Sequence, residues 1–294
     1  MAINLPQLKS FHYVATEGSF TKASRHMNVT QPTVSAQVRL LEETYGVRLF
    51  ERKGRNVHLT SLGEELHIIT SRLFGLQDDA EDLLEGARAL ENGHLVVGGD
   101  SPHSALPLIG HFRERYENIG LSLSVGNAEE ALNDLYDFKT DVAVLGNVKG
   151  DPRLIAQPLL RMNLVCFVHK NHEWAKRKHI SVYELENQPL VLRHKGSLTR
   201  RVFNEAMDRM SITPNVVMEI SSREAVREAV ANGIGIGIVL ENETGVDTRV
   251  VTIPFNNVKM DVTEYVVCLK ERARLRVVRA FMDLAKEFSK IHAK

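Results

Sequence analysis

The densest run of side chains able to do chemistry is Gln31, Pro32, Thr33, Ser35 and, one turn later, Arg39. Amide, hydroxyl and guanidinium groups at the start of a helix exchange hydrogen bonds with base edges in a major groove, so these types at this spacing point to DNA. A surface helix with a merely wetted polar side would carry the same residues. Thr21, on the segment before, joins the candidate set. Arg52, Lys53 and Arg55 follow at a predicted hairpin tip, where three cations suit phosphate or minor-groove contacts.

A second group suits a small ligand. Ser101, His103 and Ser104 follow the strand-like HLVVGG; Asn127 follows LSLSVG, and Gly146 and Asn147 close DVAVLG. In open α/β sheets ligands sit beyond the carboxyl ends of strands. Arg193, Lys195, Ser197, Thr199 and Arg200 gather around a predicted helix start, and Ser222 and Arg223 open another. Cations, hydroxyls and free N–H groups at helix starts favour phosphate, phosphonate, sulfate or carboxylate. Arg200 and Arg201 also read as plain helix-surface charges. Glu241 follows IGIGIVL and is placed to hold an ammonium group, whereas Glu243 reads as an exposed loop acid. A small zwitterion with an anionic end fits this set.

The elements that must position these groups follow from spacing. Leu5, Leu8, Phe11, Val14 and Ala15 recur at helical intervals and predict a first helix. Ser19 caps a second helix that turns Ala23 and Met27 inward, and Asn28-Val29 breaks it. Thr30 then caps a third, with Pro32 in its first turn, Val34, Val38, Leu41 and Tyr45 inward, and Gly46 as its stop. VRLFERKGRNVHLT reads as a β-hairpin wing. From Ser61 to about Leu90 the stripe Leu62, Leu66, Ile69, Leu73, Leu76, Ala80, Leu83 and Ala87 needs a partner helix, and a second copy of the chain supplies one.

From His94 short apolar strands alternate with amphipathic helices, which predicts mainly parallel sheets wrapped by helices. The expected domains are a winged helix-turn-helix at 1–60, a linker and dimerisation helix at 61–91 and an α/β ligand domain at 92–294. Its first lobe takes about 92–162 and 265–294, its second about 163–264.

With 43% hydrophobic and 25% charged residues, the 294-residue chain has the composition of a globular protein of two or three units. Its net charge is zero, yet residues 1–60 hold eight cations against four acids. The head is therefore +4 and the remainder −4, a separation suited to phosphate binding at one end. No apolar run approaches the roughly 20 residues a bilayer span needs, and the N-terminus lacks a secretion signal, so a cytoplasmic location is expected. Cys166 and Cys268 sit in apolar runs and read as buried free thiols.

Ala15, Gly18-Ser19-Phe20, Ala23-Ser24, Gln31-Pro32-Thr33-Val34-Ser35, Leu40-Leu41-Glu42, Gly46 to Arg52 and Leu59 to Gly63 together resemble the N-terminal domain of LysR-type transcriptional regulators. The resemblance implies double-stranded DNA as a partner, a homodimer or homotetramer, RNA polymerase as a further partner, and a two-lobed effector domain similar to periplasmic solute-binding proteins. GHLVVGGDSPH, GNAEEAL, PLVLRHKGSLTRRVF, SREAVREAVANGIGIGIV and TEYVVCL are similar to the LysR subgroup associated with 2-aminoethylphosphonate metabolism.

Rival classes find less support. No nucleophile with its base, metal centre or cofactor lysine can be assembled, so neither an enzyme nor a cofactor is expected. A solute-binding module without DNA activity has no use for the basic head. Gly233, Gly235 and Gly237 follow a helix and precede a strand, the reverse of a dinucleotide site. His169 and His172, with Glu173 beside them, fall at a strand-to-loop transition without a further metal partner, and the histidines read as solvated.

Overall fold

The structure, a computed structural model, describes residues 3–53, 56–85, 93–148, 150–243 and 245–292. The chain divides into two compact units, Met1–Ala89 with Tyr136–Lys139, and Leu90–Leu135 with Thr140–Lys294.

The first unit contains α1 (Leu5–Glu17), α2 (Phe20–His26), α3 (Gln31–Tyr45), the hairpin β1 (Phe50–Lys53) and β2 (Asn56–Leu59), and α4 (Ser61–Glu85). Each helix boundary has a local cause. Asn4, Ser19 and Thr30 accept the free N–H groups of Gln7, Lys22 and Thr33, and Gly18 and Gly46 end α1 and α3 in left-handed backbone. Asn28, at φ +54°, makes the left-handed turn between α2 and α3. Leu8, Phe11, Val14, Ala23, Val34, Val38, Leu41, Leu49 and Phe74 pack into one core. Leu5 and Tyr45, expected inward, are 49% and 42% exposed because each lies in a terminal turn beyond that core.

Two polar groups fix the wing against α3. The Glu42 carboxylate accepts N–H bonds from Leu49 at 2.7 Å and Phe50 at 3.2 Å, so a charge on the buried side of α3 is satisfied by the chain that follows it. Thr60 caps α4 through the Gly63 N–H and donates to the Arg48 carbonyl. Gly63 is required there, since a Cβ would collide with the Leu49 carbonyl oxygen. The hairpin pairs Phe50 with Leu59 and Lys53 with Asn56. Gly54 and Arg55, the side chains of Arg52 and Lys53, and the expected helix beyond Glu85 lie outside the described residues.

The second unit runs β3 (Gly93–Gly99), α5 (Pro102–Arg115), β4 (Ile119–Val125), α6 (Ala128–Tyr136), β5 (Val142–Gly146), β6 (Leu154–His169), β7 (Leu190–Arg193), α7 (Leu198–Arg209), β8 (Val216–Ile220), α8 (Arg223–Ala231), β9 (Ile236–Leu240), β10 (Val250–Pro254), β11 (Asp261–Leu269) and α9 (Arg276–His292). The strands join in the order β4-β3-β5-β11-β6-β9-β7-β8, with β10 also on β6.

Parallel pairs hold the two ends of this sheet, and antiparallel pairs hold its middle. The long strand β6 makes the crossover: up to Asn163 it pairs with β11, and from Leu164 with β9 and β10. Only its second half, LVCFVH, reads as a strand in the sequence, and β10 does not; both missing pieces are half-exposed and alternate too weakly to announce themselves. Leu108, Phe112, Val144 and Phe281 centre one lobe core, and Trp174, Leu190, Phe203 and Ile253 the other.

Cys166 and Cys268 are buried free thiols, with burial pushing them up to about 12 and about 11, which leaves them unreactive near neutral pH. Gly237 packs under the Phe167 ring, so the tempting glycine run serves strand packing. No described helix is long and apolar enough to cross a membrane.

Candidate functional site

The first candidate surface is the start of α3. Gln31, Pro32, Thr33 and Arg39 are exposed and Ser35 is half-buried, while Val34 and Val38 turn into the core. One stripe of α3 is thus anchored, and the other is open to whatever approaches. The cap adds rigidity: the Thr30 and Thr33 hydroxyls are 2.8 Å apart, and Thr30 accepts the Thr33 N–H. Arg39 meets Glu43 one turn on at 3.3 Å, an exposed pair that a phosphate or base can displace at small cost. Thr21 is exposed on α2.

The second candidate is a narrow cleft in the second unit, lined by His103 from α5, Phe167 from β6, Arg193 at the end of β7, Thr199 near the start of α7, Arg223, Glu224, Val226 and Arg227 from α8, and Glu243. The first turns of α7 and α8 both contribute to its wall, each capped by a serine: Ser197 accepts the Arg200 N–H and Ser222 the Ala225 N–H. Arg193 is notable because its Nε and Nη1 are buried with no partner, and burial together with the neighbouring Arg223 lowers its pKa. A half-buried guanidinium with two idle N–H donors has the chemistry to accept an anion with paired oxygens.

Beside this cleft stands a carboxyl cluster. Glu243, 4% exposed, accepts from Arg223 Nε at 2.9 Å and from the Ser101 hydroxyl at 2.7 Å. Arg223 also donates to the Asp100 backbone carbonyl at 3.0 Å. The Asp100 carboxylate accepts from the Gly146 N–H at 3.4 Å. Glu264, on β11 and 1% exposed, is pushed up to about 8 by burial first and then by the charges of Asp100 and Glu243. Asp100 is raised as well, mainly by burial.

A pH dependence follows with a definite sign. The folded chain keeps a proton on Glu264 that the unfolded chain releases near 4.5, so stability falls as pH climbs from there through about 8. Calorimetry across pH 5 to 9 is expected to show this decline for the wild type and a flatter profile for Glu264→Gln. An unchanged slope in the variant would assign the effect to other groups.

The structure relocates several residues expected at the cleft. Asn127 is exposed and caps α6 through the Glu130 N–H, away from the cleft lining. Asn147, left-handed at φ +50°, spends its amide oxygen on the Thr263 N–H, tying β5 to β11. Gly146 lies under Leu198, where it leaves no room for a side chain. Arg200 is 7% exposed and donates to the Arg193 carbonyl and to Asn204, so it positions the β7 end rather than facing a ligand. Ser104 is fully buried with its hydroxyl unpaired, and Lys195 is exposed.

The two loop acids exchange places: Glu241 is the exposed one and accepts the Asn163 N–H, whereas Glu243 is buried at the cleft. The chain leaves the strand for a three-residue helical turn, Glu241–Glu243, in which Glu243 alone is buried, so the strand's alternation no longer decides which acid faces inward. Glu264 and Asp100 were missed. Glu264 had a readable signal, since it takes an inward phase of the alternating strand with Val262 and Val266. His169 and His172 accept from backbone N–H groups in a turn, and no described cluster of three His, Cys, Asp or Glu could hold a metal.

Comparison with known proteins matches both units. Residues 5–64 match the family described as bacterial regulatory helix-turn-helix protein, lysR family, and residues 88–290 the LysR substrate binding domain. The chain is 30% identical to the HTH-type transcriptional activator CmpR of Synechocystis, over 95% of this chain and 93% of that protein. It is 31% identical to the RuBisCO operon transcriptional regulator of Allochromatium vinosum, over 81% of this chain and 80% of that one. A solved full-length OxyR variant from Pseudomonas aeruginosa shares the fold, with a TM-score of 0.79 at 20% identity, over 97% of this chain and 95% of that one.

Proposed function

Because this chain belongs to the LysR family, a DNA-binding transcriptional regulator by its helix-turn-helix and its relatives, we propose that α3 reads a major groove and that the cleft reports a small anion to it. The observation that carries the first half is the α3 start: Gln31, Thr33 and Arg39 are exposed on a helix whose opposite stripe is locked in the core. Gln31, Pro32, Thr33, Ser35 and Arg39 then face bases or their flanking phosphates, with Thr21 beside them and Arg52, Lys53 and Arg55 on the wing against the backbone.

The cleft supports the second half. Arg193 offers its unpartnered donors to an anion, and Thr199, His103 and the first turns of α7 and α8 surround the same space. Ligand binding between the lobes changes their closure, and the change alters how paired chains sit on two half-sites and how they meet RNA polymerase. The resemblance to the 2-aminoethylphosphonate subgroup gains nothing from relatives such as CmpR and the RuBisCO operon regulator. That compound keeps its place among candidate effectors on charge alone.

Selection of duplexes from a random pool tests the DNA reading. The wild type is expected to enrich an imperfect palindrome. Gln31→Ala is expected to lose about 1–3 kcal/mol of discrimination at one position per half-site, whereas Arg52→Ala weakens all DNA alike and flattens the salt dependence. A pool that never converges, or one indifferent to Gln31, would sink the proposal.

A further inference from the structure

We propose that Asp100, Glu264 and Ser104 form a subsite for the ammonium group of the effector, at the opposite end from Arg193, so that the ligand is a small ω-amino acid rather than a plain acid. This rests on the cleft being the effector site. The charges come first. Asp100, Glu243 and Glu264 bring three carboxyl groups to one buried place, yet among the described residues a single guanidinium, Arg223, touches any of them. It bonds the Glu243 carboxylate, and at Asp100 it reaches the backbone carbonyl and not the side chain. Arg193 lies close enough to feel Glu243 but makes no contact with the other two acids.

The unpartnered atoms come second, and they are independent of charge. Asp100 Oδ1, Glu264 Oε2 and Ser104 Oγ are all buried without a hydrogen-bond partner. Ser104 is fully buried, and its hydroxyl lies close to the Glu264 carboxyl without closing a bond to it. The two carboxylates flank Gly146, whose N–H reaches Asp100 and whose α-carbon faces Glu264 Oε1. Three idle acceptors in one place match the three N–H donors of an alkylammonium. No described set of acids here is arranged to hold a metal ion.

A proton currently stands in for that cation. Glu264 holds it to about pH 8 because a third buried negative charge is too costly beside Asp100 and Glu243. An arriving ammonium supplies the missing positive charge, so Glu264 gives up its proton to solvent as the ligand enters. Glu243 and Arg223 form the wall shared by this cluster and the cleft, which connects the two ends of the site.

The test uses the full-length protein and matched acids that differ only in the amine: 2-aminoethylphosphonate and ethylphosphonate, β-alanine and propionate, taurine and ethanesulfonate. Calorimetric titration at pH 7 in two buffers of different ionisation enthalpy reads affinity and protons together. In at least one pair the amine is expected to bind roughly tenfold tighter or more and to release about one proton.

Glu264→Gln is expected to abolish the proton release while still binding the amine-free acid. Ser104→Ala, which changes no charge, is expected to shrink the preference for the amine. Equal affinity within every pair, or tighter binding with no proton released, overturns the subsite and leaves the anion cleft standing. If neither member of any pair binds, the cleft reading falls with it.

Discussion

Arg223→Ala is expected to destabilise the second unit by about 3–5 kcal/mol, because it strands a buried charge. The Glu243 side chain is 1% exposed and that of Arg223 21%, so solvent cannot take over the role of the guanidinium. The same substitution leaves the Asp100 carbonyl without its donor and the Glu243 carboxylate without its contacting cation. Chemical denaturation monitored on the full chain reads the loss. A double variant separates charge from packing: Arg223→Met with Glu243→Gln removes both charges, keeps most of the volume, and is expected to recover most of the stability. If the double variant is as unstable as the single one, packing by Arg223 and not its charge holds the site.

The second large effect concerns α4. Leu62, Ile69, Leu73 and Leu76 are 45%, 60%, 40% and 52% exposed, at intervals of seven, four and three residues. An apolar stripe with that period has the form a helix pair needs for its seam, and the described residues of the first unit leave it open. Ile69→Glu is expected to convert the protein to single chains in sedimentation experiments. Affinity for a duplex with two half-sites is expected to fall by roughly 10²–10⁴, since the second half-site no longer binds intramolecularly. Affinity for a single half-site should stay as it is. A variant that still sediments as an oligomer and binds both half-sites as before would move the interface elsewhere. Because Ile69 lies outside the first unit's core, the helix-turn-helix itself is expected to remain folded.

These two predictions draw on different sources of information. The α4 stripe is legible in the sequence, because helical spacing depends only on neighbours three and four residues away, and so is the anchored face of α3 with Thr30 and Gly46 at its ends. Caps, turns and amphipathic faces are local, and local chemistry survives in a bare string of residues. The alternation of strands and helices after His94 is local in the same sense, and so is Glu264 at an inward position of its strand.

Long-range pairing decided the rest. That β6 continues across both lobes, that Arg200 turns to the Arg193 carbonyl, and that Glu243 rather than Glu241 is buried all depend on which segments meet after dozens or hundreds of intervening residues. Ser101 and Glu243 are 142 positions apart and share one hydrogen bond, and Arg223 reaches Asp100 across 123. A carboxyl group carries no mark of its future neighbours, so its burial, its proton and its cation are properties of the assembled sheet. What the residues alone determined was which helices form and which face each offers; what only the tertiary structure decided was which charges end up buried together, because desolvation and Coulomb energies depend on distance in space and not along the chain.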